Sequence, residues 1–121
     1  MFVEFHCHTS LSYDGYSSYK GLVEAAKKKG INVICLTEHD EININKGIVT
    51  EIDDIKFVNG CEFTAINGAH IIGLFINEKL DGFKYTHNEI FDHIKKYNGL
   101  ISIPHPLKPS SGLLFLSLIH I

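Results

Sequence analysis

Positive charge, cysteine and long apolar runs are all scarce in this 121-residue sequence. Eleven Lys and Arg against fourteen Asp and Glu leave a formal net charge of −3, which gives no electrostatic footprint for nucleic acid or anionic membranes. The runs Lys27-Lys28-Lys29 and Lys95-Lys96 read as helix-end and solvated-face charges. With no interleaving of aromatic and basic residues recognised, nucleic acid is not expected as a partner. No apolar stretch approaches the ~20 residues of a membrane span. The start, Met1-Phe2-Val3-Glu4, lacks the basic and apolar segments of a secretory signal, so no membrane association and a cytoplasmic location are expected. The three cysteines (Cys7, Cys35, Cys61) are odd in number and form no CxxC pair. They read as small buried hydrophobes in a reducing compartment. A hydrophobic fraction of 45% and a charged fraction of 21% exclude a disordered chain.

The length suits one domain with a single core. Four short β-rich runs, Phe2–His6, Ile31–Leu36, Lys56–Cys61 and Leu100–Ile103, resemble strands buried on both faces of a parallel sheet. Asn67-Gly68 is a hairpin turn signal that predicts antiparallel pairing of Glu62–Ile66 with His70–Ile76. A helix is predicted between the first two strands, capped by Ser17 or Ser18, with Leu22, Val23, Ala25 and Ala26 on its apolar face and Gly30 as its stop. A second spans about Thr86–Tyr97, with Ile90, Phe91, Ile94 and Tyr97 at helical spacing and Asn98-Gly99 as its end. A short helix is the expectation for part of Glu41–Asp54. Strand–helix–strand repetition makes this an α/β chain, read as one domain over residues 1–121. The stretch 110–121 departs from that order: Leu113–Ile121 is almost wholly apolar. It reads as the start of a buried element, so the domain is expected to be incomplete, with self-association through an unclosed sheet edge and this tail.

Histidine is what the sequence has in excess: eight residues. His6 and His8 flank Cys7, and residues two apart in a strand share a face, so their imidazoles converge as metal ligands would. His39 lies in Thr37-Glu38-His39-Asp40 just past the second strand, and Glu62 just past the third. His70 opens the return strand of the hairpin, His105 follows the last predicted strand, and Asp14 lies in the loop after the first. Candidate ligands thus collect at the C-terminal ends of successive strands, the edge on which α/β folds build active sites. His87 and His93, six apart on the second helix, read as solvated, and His120 as a residue of the apolar tail.

These residues resemble the PHP family, the polymerase-and-histidinol-phosphatase superfamily. The matching segments are Phe5-His6-Cys7-His8-Thr9-Ser10, Asp14-Gly15, Leu36-Thr37-Glu38-His39-Asp40, Gly60-Cys61-Glu62, Ala69-His70-Ile71-Ile72-Gly73-Leu74 and Ile103-Pro104-His105-Pro106. The resemblance implies the N-terminal part of a distorted (β/α)7 barrel with two or three divalent metal ions, manganese, zinc or iron, at the C-terminal strand edge. By the family pattern His6 and His8 hold a first metal and Glu62 bridges to a second. His70 and His105 complete the second, and Asp14 and His39 face a third. A metal-activated water is then the nucleophile, with no separate catalytic side chain. Lys108 is the candidate for a substrate phosphate, and Glu38 and Asp40 for orienting His39 or other ligands. The implied activity is metal-dependent phosphomonoester hydrolysis of a small phosphorylated substrate. The alternatives are a non-catalytic, degenerate metal-binding module and a polymerase-associated exonuclease-type domain. One family feature is missing: the late aspartate–x–histidine pair has no counterpart, since no acidic residue follows Asp92.

Overall fold

A computed structural model describes residues 1–9, 18–44 and 46–114. In chain order these form β1 (Val3–Cys7), α1 (Tyr19–Lys29), β2 (Val33–His39), β3 (Val49–Ile52), β4 (Ile55–Thr64), β5 (His70–Leu74), α2 (His87–Lys96) and β6 (Leu100–Ser102). The strands make one six-stranded sheet in the order β1-β2-β4-β5-β6, with β3 also paired to β4. β1, β2 and β4 are parallel, while β4–β5 and β5–β6 are antiparallel.

Both helices form where their ends are satisfied. Ser18 Oγ accepts from the Gly21 N–H at 3.1 Å, and Gly30 closes α1 in the left-handed region (φ 71°) after three lysines that favour the negative helix end. Thr86 and Glu89 form a reciprocal capping box on α2. Val23 and Ala26 of α1 pack on Ile34, Leu36 and Phe57, and Ile90 and Ile94 of α2 pack on Cys61, Phe63 and Ile71. The strand register puts all of these sheet residues on one face. Both helices therefore cover the same side and leave the other to different chemistry. On that second face Cys35, Val58, Ile72 and Leu74 form a separate cluster with Val3 and Val33.

One irregularity decides what β1 presents. Val3 pairs with Val33 and Glu4 with Ile34, but Cys7 pairs with Leu36, so β1 carries one extra residue between Glu4 and Cys7. A bulge shifts the alternation of side chains. Val3 and Phe5 lie on the uncovered face before it, and His6 and His8 lie on that face after it. Without the bulge His6 would follow Glu4 to the helix-covered side.

Three expectations are corrected. The described residues of 41–54 form no short helix: β3 forms a hairpin with β4 through Asp53 and Asp54, both at positive φ (50° and 69°), as a two-residue primed turn requires. β4 continues through Glu62 to Thr64 instead of ending at Cys61. β1 and β6, the two end strands of the sheet, are not buried on both faces: Phe5 is 56% and Leu100 60% exposed. Cys35 and Cys61 are buried free thiols, and Cys7 is half-buried. Leu113 packs into the α2 core, whereas residues 115–121, including His120, lie outside the described residues. Among the described residues no helix is long and apolar enough to cross a membrane.

Candidate metal centre

Glu62 is the centre of the site, 1% exposed in the middle of the sheet. Parallel pairing sets His39 directly beside it on β2, and antiparallel pairing sets His70 across from Thr64, two residues further along β4. His6 and His8 arrive from the β1 bulge, and His105 from the turn after β6. Five imidazoles surround the one carboxylate. His6 Nε2, His70 Nδ1 and His105 Nε2 lie 3.0, 3.4 and 3.4 Å from Oε2, and His8 Nε2 and His39 Nδ1 lie 3.4 and 3.1 Å from Oε1. Despite these short distances, neither oxygen accepts a hydrogen bond of good geometry. Burial alone would raise the Glu62 carboxyl; the imidazoles of His6, His70 and His8 outweigh it and hold the group well below the usual carboxylate range. His105 is shifted down, first by its own burial, against the opposing pull of Glu62.

A buried carboxylate whose oxygens accept no well-aligned hydrogen bond is costly. Ring nitrogens and carboxylate oxygens converging on it are the donor set of a first-row divalent metal. Two groups of ligand atoms meet this need, each within 4.8 Å: His6, His8 and Glu62, and His39, Glu62 and His70. Glu62 belongs to both, as its two oxygens allow.

The ligands are held by groups further out. Thr37 Oγ1 accepts from the Cys7 N–H at 3.0 Å and donates to the Cys7 carbonyl at 3.2 Å, pinning β1 between its two histidines. Buried Glu38 accepts from Thr9 N–H (2.7 Å) and Thr9 Oγ1 (2.9 Å), fixing the chain just past His8. Asp40 receives Thr64 N–H (2.6 Å) and Thr64 Oγ1 (2.7 Å). Burial raises its pKa and these bonds oppose the rise. Ser111 Oγ lies 3.4 Å from His105 Nδ1, and the Ser111 carbonyl accepts from His70 N–H at 2.8 Å. The His8 and His39 rings stack at 4.2 Å. At Gly60 any Cβ would run into the Gly73 carbonyl, so glycine is required for β4 and β5 to close up beneath Glu62.

Of the seven expected ligands, the structure brings together His6, His8, His39, Glu62, His70 and His105; Asp14 lies outside the described residues. Lys108 is exposed, in the turn begun by His105, whose carbonyl accepts the Lys108 N–H at 3.0 Å. Glu38 and Asp40 hold backbone and threonine hydroxyls. The anchoring roles of Thr9, Thr37, Thr64 and Ser111 are new, since their partners are remote in sequence. His93 is not simply solvated: half-buried, its Nε2 lies 2.7 Å from the Glu78 carbonyl and its ring meets Phe63.

The profile of the PHP domain family matches residues 4–105. The chain belongs to the PHP domain family. Its curled, open sheet, with His/Glu clusters at the C-terminal strand ends, matches a distorted PHP-type β/α barrel. An uncharacterized protein of Methanocaldococcus jannaschii is 32% identical over 123 residues, spanning 90% of this chain and 70% of that protein. A Caldicellulosiruptor saccharolyticus protein named "Probable phosphatase" is 27% identical, over 88% of this chain and 55% of its own length. The fold also matches a crystal structure of endonuclease Q in complex with a 27-mer duplex carrying an abasic lesion at the active site. That match has a TM-score of 0.72 and 17% identity, and covers 92% of this chain and 36% of the endonuclease. The chain thus spans about half the length of the phosphatase relative and a third of the endonuclease. The last match corrects an expectation: a fold shared with a DNA-bound endonuclease removes the ground for setting nucleic acid aside as a partner. Net charge describes the whole surface, whereas a phosphate is met by local groups and metal.

Proposed function

We propose that this PHP domain is a metal-dependent phosphodiesterase acting on nucleic acid. The observation that carries the reading is Glu62, buried, with five imidazole nitrogens within 3.4 Å of its two oxygens. The fold shared with endonuclease Q supports the choice of substrate class. His6 and His8 would hold one divalent ion with Glu62, and His39 and His70 a second, with His105 beside Oε2 and Asp14 as the further expected ligand. When bound, such ions lower the pKa of a water and neutralise phosphoryl oxygens. The chain's own residues do the remaining work. The surrounding imidazoles favour the charged form of Glu62, the form that binds a metal ion. Thr37, Asp40 and Ser111 fix the strands and turn that aim the imidazoles. His6 and His105 are the most exposed of the five rings, at 32% and 29%, so a phosphodiester approaches from their side. Lys108, in the turn after His105, would meet it as a point charge.

The test is incubation of labelled single-stranded and duplex oligonucleotides with the purified chain and manganese. Metal-dependent cleavage, abolished in the His6→Ala/His8→Ala variant, is expected. Stoichiometric metal binding without cleavage would leave a non-catalytic metal-binding domain instead. A second reading, phosphomonoester hydrolysis, is favoured by the relative named "Probable phosphatase". Release of p-nitrophenol from p-nitrophenyl phosphate, with oligonucleotides left intact, would support it.

A further inference from the structure

Beside the metal centre the chain displays an exposed aromatic side chain that joins none of the hydrophobic clusters among the described residues. Phe83 is 67% exposed, and its backbone sits at φ 59°, a region that bulky residues rarely adopt. The conformation is fastened on three sides. The Phe83 N–H donates to the Thr64 carbonyl at 3.0 Å, and the Ile66 N–H donates to the Tyr85 carbonyl at 2.7 Å. Gly82 lies so close to Asp40 that a Cβ there would fall 2.6 Å from Oδ2, and Asp40 itself clasps Thr64. The segment is thereby tied to β2 and β4, the strands that carry His39 and Glu62. Thr64 is two residues beyond Glu62, about 7 Å along the strand. Tyr85 packs against the α2 core, while Ile66, whose N–H meets the Tyr85 carbonyl, is 61% exposed. Between the two aromatics is Lys84, with Nζ 5.7 Å from the Tyr85 ring centroid.

An open aromatic face next to a lysine is how proteins hold an unpaired nucleotide, by stacking on its base and pairing with its phosphate. We propose that Phe83 is a nucleobase-stacking platform at the rim of the metal centre, with Lys84 contacting the phosphate backbone of the same strand. This rests on the nucleic-acid reading above and names how the substrate strand is gripped. Phe83 is a positioning residue; it touches base, not the reacting phosphate.

Binding, not cleavage, is the direct test. Fluorescence anisotropy in manganese and low salt compares a labelled single-stranded oligonucleotide of cleavage-resistant phosphorothioate backbone with one of equal length and backbone built from abasic tetrahydrofuran sites. The wild-type chain is expected to prefer the oligonucleotide with bases by about fivefold or more. Phe83→Ala and Phe83→Leu should erase the preference, Phe83→Tyr should keep it, and circular dichroism should show all three folded. Lys84→Ala should weaken both ligands alike and flatten the slope of log affinity against log salt by roughly 0.7. Equal affinity of the wild type for the two ligands, or a preference untouched by Phe83→Leu, overturns the platform. A Phe83-dependent preference without cleavage in manganese would uphold the platform and reject the phosphodiesterase. Cleavage without the preference would do the reverse.

Discussion

The uncovered face of the sheet has two ends built from the same strands. Toward the strand C-termini it carries one carboxylate and five imidazoles; toward the N-termini it carries Val3, Phe5, Val33, Cys35, Val58 and Leu74, lining an apolar hollow of about 490 Å³. Strand alternation is the same throughout β2 and β4, so position along the strand, not side, separates the two chemistries. At the apolar end stability comes from burial of hydrocarbon. At the polar end a carboxylate is buried without a well-aligned hydrogen bond, so order there depends on what the ligands hold and on the threonine and serine anchors behind them.

That contrast breaks in a defined order. Leu74→Ala, at the apolar end and 3% exposed, should cost about 2–5 kcal/mol in urea unfolding and leave the metal stoichiometry unchanged. A loss of metal would mean that the two ends are coupled. Thr37→Val removes both hydroxyl bonds to Cys7 and should cost roughly 1–3 kcal/mol. It should also weaken metal binding by about tenfold, since His6 and His8 flank the freed residue; isothermal titration would show it. Ser111→Ala should lower metal affinity by about tenfold at most while stability moves by no more than about 1 kcal/mol, because its hydroxyl lies 3.4 Å from His105 and its carbonyl bond to His70 survives. The smallest effect belongs to Cys35. Burial pushes its thiol up to about 11, so iodoacetamide at pH 8 should leave it unmodified in the folded chain. Rapid alkylation there would mean that the apolar end opens readily.

Much of this was legible in local sequence. The Ser18 cap, the Gly30 stop, the second helix near Thr86–Tyr97, the Asn67-Gly68 hairpin and the convergence of His6 with His8 are each set within a few residues. What was hidden depends on distant partners. The β1 bulge exists only against β2, and the anchoring of Cys7 by Thr37 spans 30 residues. The β3 hairpin turns on two aspartates in the left-handed region, a conformation for which Asn-Gly would have been the plainer signal. Phe83-Lys84-Tyr85 interleaves aromatic and basic residues in the sequence itself, and a net charge of −3, which averages the whole surface, does not describe so short a segment.

Equilibrium dialysis against manganese or zinc, with bound metal counted by mass spectrometry, tests the centre most directly. The wild-type chain is expected to retain at least two ions, one for each group of ligands that shares Glu62. Glu62→Gln, which keeps the shape and removes the charge common to both groups, is expected to lose them together. Retention of both ions by Glu62→Gln, or no bound metal in the wild type, would contradict a metal centre organised around that carboxylate.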